Sequence, residues 1–177
     1  MKDFRKPLRR VLIAVAVLGI AGCENGDAPL QPTTTNPALK TVNGVTFVPL
    51  RSGRSIAAAG ERVQGKSGTT ISLDDATLVV KSGSLSVPNA TITMDAVNDG
   101  YLTFQFGPNG LAFSPAATLT ISAAKANLDG LDPGQLRIAG ASDSVDDWQV
   151  VGGTYDPLTN TVTVAIDHFS RYALCIE

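Results

Sequence analysis

The feature that most restricts the fold is the alternation of apolar and polar residues in short runs between Thr41 and Glu177. Turn-forming residues separate these runs at roughly the 8–12 residue spacing that is typical of β-sandwiches and barrels. Successive side chains of a strand point to opposite faces, so this alternation predicts strands with one buried face. No window keeps a helical period for three turns. Residues 41–177 are therefore predicted to be one all-β domain, either a sandwich or a barrel.

Two turns organise the middle of this domain. Asn, Asp and Gly tolerate a positive φ, so residues 98–100 predict a hairpin. Gly107 and Gly110 flank a Pro-Asn pair, which lets the chain reverse without a Cβ clash. This reversal is expected to present Phe106 and Phe113 to one core.

Four other positions carry specific expectations. Trp148 is predicted to point inward and fill the sandwich, and Cys175 to be a buried thiol that behaves as a small hydrophobe. Pro115 lacks a backbone donor, which suits the first or an edge position of a strand. Residues 123–128 fit either one helical turn or a continued strand alternation.

The amino terminus has the pattern of a secretory signal. Residues 1–10 are rich in Lys and Arg, and the twelve residues from Val11 to Gly22 carry no charged or strongly polar side chain. As a helix this run spans about 18 Å, well short of the hydrocarbon core of a bilayer. Residues 1–22 are therefore interpreted as a signal peptide and not as a membrane anchor.

The residues at the end of this signal resemble the bacterial lipobox. An apolar residue and two small residues, 20–22, precede Cys23. The resemblance implies that the Cys23 thiol receives diacylglycerol and becomes the new amino terminus, and two or three acyl chains make a stable anchor. The alternative is an ordinary secretory signal followed by an unrelated cysteine.

Residues 23–40 are predicted to be a tether that begins at the lipidated Cys23. The segment is rich in Pro and Thr and holds almost nothing to bury, so it cannot repay the entropy of ordering. Glu24 follows the cysteine at a position where Asp often signals inner-membrane retention. The expected location is therefore the cell envelope, and the outer membrane if the cell is Gram-negative.

Charge argues against one class of partner. The chain has a formal net charge of −2 at pH 7, but its basic residues concentrate in the signal, which leaves the remainder acidic. Affinity for a phosphate backbone comes from clustered Lys and Arg. We therefore expect no nucleic-acid partner; the expected partners are the membrane, through the lipid, and a protein or envelope polymer.

The inventory of catalytic and metal-binding residues is thin. His168 is the one histidine of the chain, and Cys175 is the one cysteine besides Cys23. A zinc site needs three or four suitably spaced ligands, and the sequence contains no P-loop, dinucleotide fingerprint or G-x-S-x-G motif. We therefore expect no enzyme acting on a second molecule, no metal, and no cofactor beyond the covalent lipid on Cys23.

Acidic and aromatic residues suggest two weaker alternatives. Carboxylates cluster in three places where Ca²⁺ could bind, although turn capping explains such clusters equally well: Asp74 with Asp75; Asp129 and Asp132 near Asn127; and Asp143, Asp146 and Asp147. Nothing fixes a carboxylate separation for a glycosidase. Trp148, Tyr101 and Tyr155 could stack on a sugar of the cell wall.

Several blocks in this order resemble the ZU-five domain, a β-sandwich of zonula occludens proteins, netrin receptors and ankyrins. They are residues 78–85, the stretch Phe-Gly-Pro-Asn-Gly-Leu-Ala-Phe-Ser-Pro-Ala at 106–116, Trp148, and Asp-His-Phe-Ser-Arg-Tyr-Ala at 167–173. The resemblance covers about residues 68–174. The chain departs from the family pattern at Lys81 and Ser84, where the family prefers Pro and Ala.

This resemblance implies an antiparallel β-sandwich that binds other proteins and does not catalyse a reaction on them. Fold alone does not carry function, so this implication is an analogy. The sequence thus predicts an envelope lipoprotein with a non-catalytic protein-interaction module.

The triplet His168-Phe169-Ser170 supports an alternative function. Function-to-find domains, relatives of this family, cut themselves at a Phe–Ser bond, and some use the same triplet. By analogy the Ser170 hydroxyl would attack the carbonyl of Phe169 with His168 as base. In a regular strand His168 and Ser170 would share one face. The competing interpretation is that His168 caps the closing strand, Phe169 or Tyr172 fills the core, and Ser170 bonds the backbone.

Overall fold

The fold is taken from a computed structural model that describes residues 38–53, 57–64 and 66–177. The predicted signal peptide, Cys23, and all but the last three residues of the predicted tether lie outside the described residues. Within the described part, no helix has the length and hydropathy needed to cross a membrane.

Thirteen strands form within the described residues. Their bounds are β1 Lys40–Val42, β2 Val45–Phe47, β3 Ala57–Gln64, β4 Thr69–Leu73, β5 Ala76–Val80, β6 Asn89–Ala96, β7 Thr103–Gly107, β8 Ala112–Ser122, β9 Leu136–Ala141, β10 Gln149–Gly152, β11 Thr154–Asp156, β12 Thr161–His168 and β13 Arg171–Ile176. A short 3-10 turn at Pro133–Gln135 leads into β9.

The strands form two antiparallel sheets that pack face to face. The smaller sheet has the order β11-β12-β8-β5-β4. In the larger sheet β13 is central, because β9 pairs with one of its sides while β7 and β2 share the other side. β10 extends this sheet beyond β9, β6 and β3 follow β7, and β1 pairs with β2. The predicted all-β antiparallel sandwich is confirmed.

The inter-sheet core is built around stacked aromatic rings. Phe169 stacks on Phe106 with ring centroids 5.7 Å apart and meets Phe113 edge-on at 4.7 Å. The Tyr172 ring packs edge-on against Phe106, with the ring centroids 5.7 Å apart. The expectation that Phe106 and Phe113 share one core is confirmed.

The turn that brings these two phenylalanines together depends on its glycines. Gly110 has φ +73°, which side chains disfavour. A Cβ on Gly107 would lie 2.6 Å from Oγ1 of Thr93 on the neighbouring strand. Gly110 therefore suits the backbone of the reversal, as predicted, whereas Gly107 is required by its close approach to β6.

A second apolar cluster, which we call the outer-face cluster, lies on the opposite side of the larger sheet. Its buried members are Val45, Phe47, Ala139, Ala141, Trp148, Ala173 and Cys175. Alternation along β9 and β13 places these residues on the face that points away from the smaller sheet. Both faces of β13 are therefore buried.

The prediction that Trp148 fills the sandwich is wrong. Trp148 is buried, but it packs in the outer-face cluster, with its ring 4.9 Å from Phe47 and the Arg171 guanidinium 5.1 Å away on the other side. The small side chains of β9 and β13 leave a hollow on this face, and the indole fills it. Cys175 is buried, as expected.

The structure decides between the alternatives of two local expectations. Pro115 lies inside β8, between Ala112 and Ala117, where the pairing with β12 changes register and where β5 does not pair. This fits the edge alternative and not the first position of a strand. The strand alternation ends at Ser122, and one turn follows, closed by the Ala126 N–H bonding to the Ala123 carbonyl at 3.0 Å. Residues 123–128 therefore fit the single-turn alternative better than a continued strand.

Candidate functional site

The triplet His168-Phe169-Ser170 is the crossover between the two sheets. His168 ends β12 in the smaller sheet, and Arg171 begins β13 in the larger one. The expectation that His168 and Ser170 share one face of a regular strand is therefore wrong, because the strand stops at His168. The two side chains nevertheless come together, since both line one cavity.

The crossover is held by hydrogen bonds on each side of Phe169. The Phe169 N–H donates to the Leu111 carbonyl at 3.0 Å, and the Tyr172 hydroxyl donates to the His168 carbonyl at 2.8 Å. The buried Ser170 hydroxyl donates to the carbonyl of Ala141. Phe169 and Tyr172 fill the core, and Ser170 bonds the backbone. The structure thus fits the competing interpretation of this triplet for these three residues.

Burial raises the pKa of the Tyr172 phenol, and the charge of Asp167 adds to that effect. The phenol consequently stays protonated and keeps its hydrogen bond to the crossover well into alkaline solution.

A cavity of about 490 Å³ opens beside the crossover, between the edges of the two sheets. The larger sheet contributes Gly140, Gln149, Val151 and Tyr172 to its lining, and the smaller sheet contributes Ala165 with its neighbours in β12. Gly140 helps to keep the space open, since a Cβ there would lie 3.0 Å from Val151 and 3.2 Å from the Tyr172 ring. The volume lies in the range of about 300–1,000 Å³ that is common for ligand pockets.

Two carboxylates give the cavity a negative lining. Hydrogen bonds from the Ser142 hydroxyl and N–H, at 2.7 and 2.8 Å, lower the pKa of Asp147. The pKa of Asp167 is lowered by the hydrogen bond from Nδ1 of His168, which lies 2.6 Å from its Oδ1. Both carboxylates are therefore ionised at neutral pH.

Arg171 ties the loop at the cavity mouth to β13. Its guanidinium donates to the Ser142 carbonyl through Nε at 3.0 Å and Nη2 at 2.9 Å, and to the Val145 carbonyl at 2.5 Å. Nη2 also lies 3.3 Å from Oδ1 of Asp146. Four contacts from one side chain fix the loop that carries Asp147, so the negative lining has a defined position.

The groups needed for self-cleavage are only partly assembled. The Phe169 carbonyl accepts a hydrogen bond from the Gly110 N–H at 3.2 Å, which is where an oxyanion donor is needed. The Ser170 hydroxyl, however, donates to Ala141, and Nδ1 of His168 bonds to Asp167. In this arrangement the imidazole is not the group that accepts the serine proton.

The acidic clusters considered for Ca²⁺ have protein partners. Lys125 pairs with Asp74, and its Nζ lies 3.1 Å from Oδ2 of Asp75. Burial raises the pKa of Asp75, and the lysine opposes that shift. One ammonium group thus contacts both carboxylates and offsets part of their charge.

In the second cluster, Asp132 and Asn127 cap turns. Asp132 accepts the Gly134 N–H at 2.9 Å, and Asn127 accepts the Asp129 N–H at 3.2 Å. Oδ1 of Asp143 is buried and has no hydrogen-bond partner among the described residues. Over residues 38–53, 57–64 and 66–177, no three His, Cys, Asp or Glu side chains are grouped as a metal site.

The aromatic residues considered for sugar stacking are engaged elsewhere. Trp148 lies between Phe47 and Arg171, with 5% of its surface exposed. The Tyr101 hydroxyl donates to the Ala38 carbonyl at 3.1 Å, and that of Tyr155 donates to Oδ1 of Asn160 at 2.9 Å. Tyr101 packs against the same Phe47 ring as Trp148, whereas Tyr155 lies in β11 of the smaller sheet. Because the indole is buried, Trp148 does not present its face to a sugar.

Sequence reasoning missed the contribution of β10 to the cavity and that of the Gly110 N–H to the crossover. Gln149 and Val151 lie in β10, and the sequence analysis assigned neither of them to a binding site. The consecutive valines 150 and 151 were a usable signal, since a strand with one buried face does not place large apolar residues at adjacent positions. Both are substantially exposed, at 39% and 46%.

Comparison with known proteins leaves the ZU-five resemblance a prediction. No family model matches the chain, and no curated protein matches it. What is established at this point is the sandwich, the crossover and the negatively lined cavity.

Proposed function

We propose that the protein is a lipid-anchored envelope protein whose β-sandwich binds another protein or an envelope polymer without catalysing a reaction on it. The observation that carries this proposal is the cavity of about 490 Å³ at the sheet edges, with two ionised carboxylates in its lining. A pocket of this size with a few fixed polar groups and apolar walls is a common form of binding site.

The anchor rests on the amino-terminal residues. The basic segment, the apolar run and the small residues before Cys23 support lipidation of that thiol, and Glu24 favours the outer membrane in a Gram-negative cell. The Pro- and Thr-rich residues that follow would let the domain reach partners away from the bilayer.

The anchor is tested with Cys23→Ala. The wild-type protein is expected in the detergent phase, and the variant in the aqueous phase as an uncleaved precursor. Intact mass would show the acyl groups on the wild type. A processed alanine variant that stays with the membrane would contradict lipidation.

Binding at the cavity is tested by photo-crosslinking in the native cell. A photoreactive residue is placed at the cavity-lining Ala165, with Ala58 in β3 as the control, because both alanines are exposed strand positions. We expect a discrete crosslinked species from position 165 only. No discrete species from either position would contradict the binding module.

The hydrogen bond from Gly110 to the Phe169 carbonyl favours self-processing as a second candidate function. Here Oγ of Ser170 attacks the carbonyl carbon of Phe169, its proton passes to His168, and the amide C–N bond breaks as that proton reaches the Ser170 nitrogen. Water then hydrolyses the ester, which leaves a carboxylate on Phe169 and a free amine on Ser170.

Self-processing requires the Ser170 hydroxyl to leave the Ala141 carbonyl and approach the imidazole. The test is incubation of the wild type and Ser170→Ala at pH 7–8, followed by mass measurement after denaturation. Loss of residues 170–177 from the wild type, but not from Ser170→Ala, supports this function. An intact wild type contradicts it and leaves the binding module.

A further inference from the structure

The cavity borders a stretch of β12 that has an available strand edge. β11 pairs with β12 only through Thr161, Val162 and Thr163. Val164, Ala165 and Ile166 pair with β8 on one side, and Asp167 lies where that pairing changes register. Across the described residues, no strand pairs with the other side of these four residues. β11 thus covers the first part of β12, and the cavity occupies the position that a longer β11 would fill.

We propose that an extended peptide segment of a partner protein, carrying a Lys or Arg side chain, adds as a strand to residues 164–167 of β12 and occupies this cavity. The inference rests on the proposed binding function and names the chemistry of the partner at that site.

The strand edge supplies the backbone part of this recognition. An unpaired edge presents N–H and C=O groups in the spacing that another strand matches, and peptide-binding domains use such edges. Four residues of an antiparallel strand extend over about 14 Å. A segment of four to five residues is therefore sufficient, and it would continue the direction of β11.

The cavity lining selects the side chains of the peptide. Alternate residues of an added strand would point between the sheets, toward the Tyr172 ring and the apolar Val151 and Ile166. The carboxylates of Asp147 and Asp167 lie at the same cavity and are ionised. Charge complementarity therefore favours a basic side chain in the peptide and disfavours an acidic one.

Strand β3, at one edge of the larger sheet, provides an internal comparison with β12. β3 pairs with β6 over its full length of eight residues, and its outer side is also a sheet edge. Glu61 of β3 accepts a hydrogen bond from Thr69 at 2.7 Å, which ties this edge to β4. Within the described residues, β3 and the second half of β12 each have one side that pairs with no strand. The negatively lined cavity lies beside β12.

The test uses full-length protein in detergent and three fluorescein-labelled peptides. The basic probe is Thr-Val-Lys-Val-Thr-Val, the acidic probe replaces Lys by Glu, and the third probe is the basic peptide N-methylated at alternate amides. Fluorescence anisotropy is expected to show saturable binding of the basic probe alone. The N-methylated probe is expected to lose affinity, because it lacks the N–H donors along one of its sides that would pair with β12.

Matched variants locate the binding. Ala165→Phe fills the cavity mouth and is expected to weaken the basic probe by more than about tenfold. Ala58→Phe makes the same change on the exposed β3 edge and should leave binding unchanged. Asp167→Asn and Asp147→Asn are each expected to weaken the basic probe severalfold and to reduce its preference over the acidic probe. Strand-type circular dichroism and an unchanged unfolding midpoint verify that each variant is folded.

Three results would overturn the proposal. They are the absence of saturable binding by the basic probe, equal binding of the basic and acidic probes, and binding that Ala58→Phe reduces as much as Ala165→Phe. A discrete photo-crosslink at position 165 together with any of these results would retain the binding module and reject a basic strand as its ligand. Absence of the crosslink itself rejects the module, so the two failures are distinguishable.

Discussion

The two apolar clusters of this domain are buried to a similar degree, but they are built differently. The inter-sheet core is closed by two sheets and centred on Phe106, Phe113 and Phe169. No second sheet of the described residues covers the outer-face cluster. Arg171 lies over the Trp148 ring, and Arg171 and Asn43 hold the 142–147 loop beside it. The inter-sheet core can therefore be exposed only if the two sheets separate. The outer-face cluster can be exposed if a few hydrogen bonds of the loop break.

This difference predicts a graded response to substitution. Loss of a core ring leaves a cavity that two packed sheets cannot close. Loss of a ring from the outer-face cluster can be relieved by loop movement and by entry of water. The following substitutions test that ranking.

The largest effect is expected for Phe106→Ala. The ring is fully buried and contacts Phe169 and Tyr172, so its removal should cost about 3–5 kcal/mol of the free energy of unfolding. Urea denaturation measures the change, with Val79→Ala on the exposed side of β5 as the control. A loss no larger than that of the control would refute the assignment of Phe106 to the core.

Trp148→Ala should have a smaller effect, of about 3 kcal/mol, at the low end for removing a buried aromatic side chain. The indole packs against Phe47, but only a loop and Arg171 separate it from solvent. The same urea measurement applies, and Trp148→Phe should recover part of the loss. A cost equal to that of Phe106→Ala would show that the two clusters do not differ as described.

Arg171→Lys should cost about 1–2 kcal/mol, because an ammonium group cannot reproduce the forked hydrogen bonds to Ser142 and Val145. Amide hydrogen exchange is expected to accelerate in the 142–147 loop and to remain unchanged in β7. Arg62→Lys on the exposed β3 serves as the matched control. Equal acceleration in the loop and in β7 would mean that Arg171 supports the whole fold.

The smallest effect concerns the pH dependence contributed by Cys175. Burial raises the pKa of its thiol to about 12, whereas the thiol of the unfolded chain has its ordinary pKa of 9.0. Between these values the unfolded state has lost a proton that the folded state keeps, so stability falls as pH rises from about 9 toward 12. From pH 8 to 9.5 the loss should reach roughly 1 kcal/mol.

Cys175→Ala isolates this contribution from that of Tyr172, whose pKa burial also raises. Stability curves of the wild type and the variant should diverge only above pH 8, with the wild type falling faster. Parallel curves would show that the thiol is not shielded in the outer-face cluster.

Local patterns were sufficient to predict much of the fold. The alternation in β7 and β12, the hairpin at 98–100 and the glycine-flanked reversal at 107–110 each depend on residues that are close in the chain. Their conformation is set by side-chain alternation and by backbone preferences, both of which are local quantities. The all-β class and the shared core of Phe106 and Phe113 followed from them.

Nonlocal contacts explain the two errors of placement. Trp148 looked like an inward residue because a large aromatic side chain was expected to seek the sandwich interior. The hollow that it fills is made by Ala139, Ala141 and Ala173, from two strands that pair only in the folded sheet. His168 and Ser170 share a cavity without sharing a strand face, since the chain changes sheets between them.

By itself, the sequence determined the strand-forming segments, the turns and the chemistry available at the amino terminus, because each depends on adjacent residues. The tertiary structure alone decided that β11 stops short of residues 164–167, that Arg171 closes the outer-face cluster, and that Asp147 and Asp167 line one cavity. These features depend on the register and on the order of strands from distant parts of the chain. No local pattern encodes where two sheets end relative to each other, and that offset creates the candidate site.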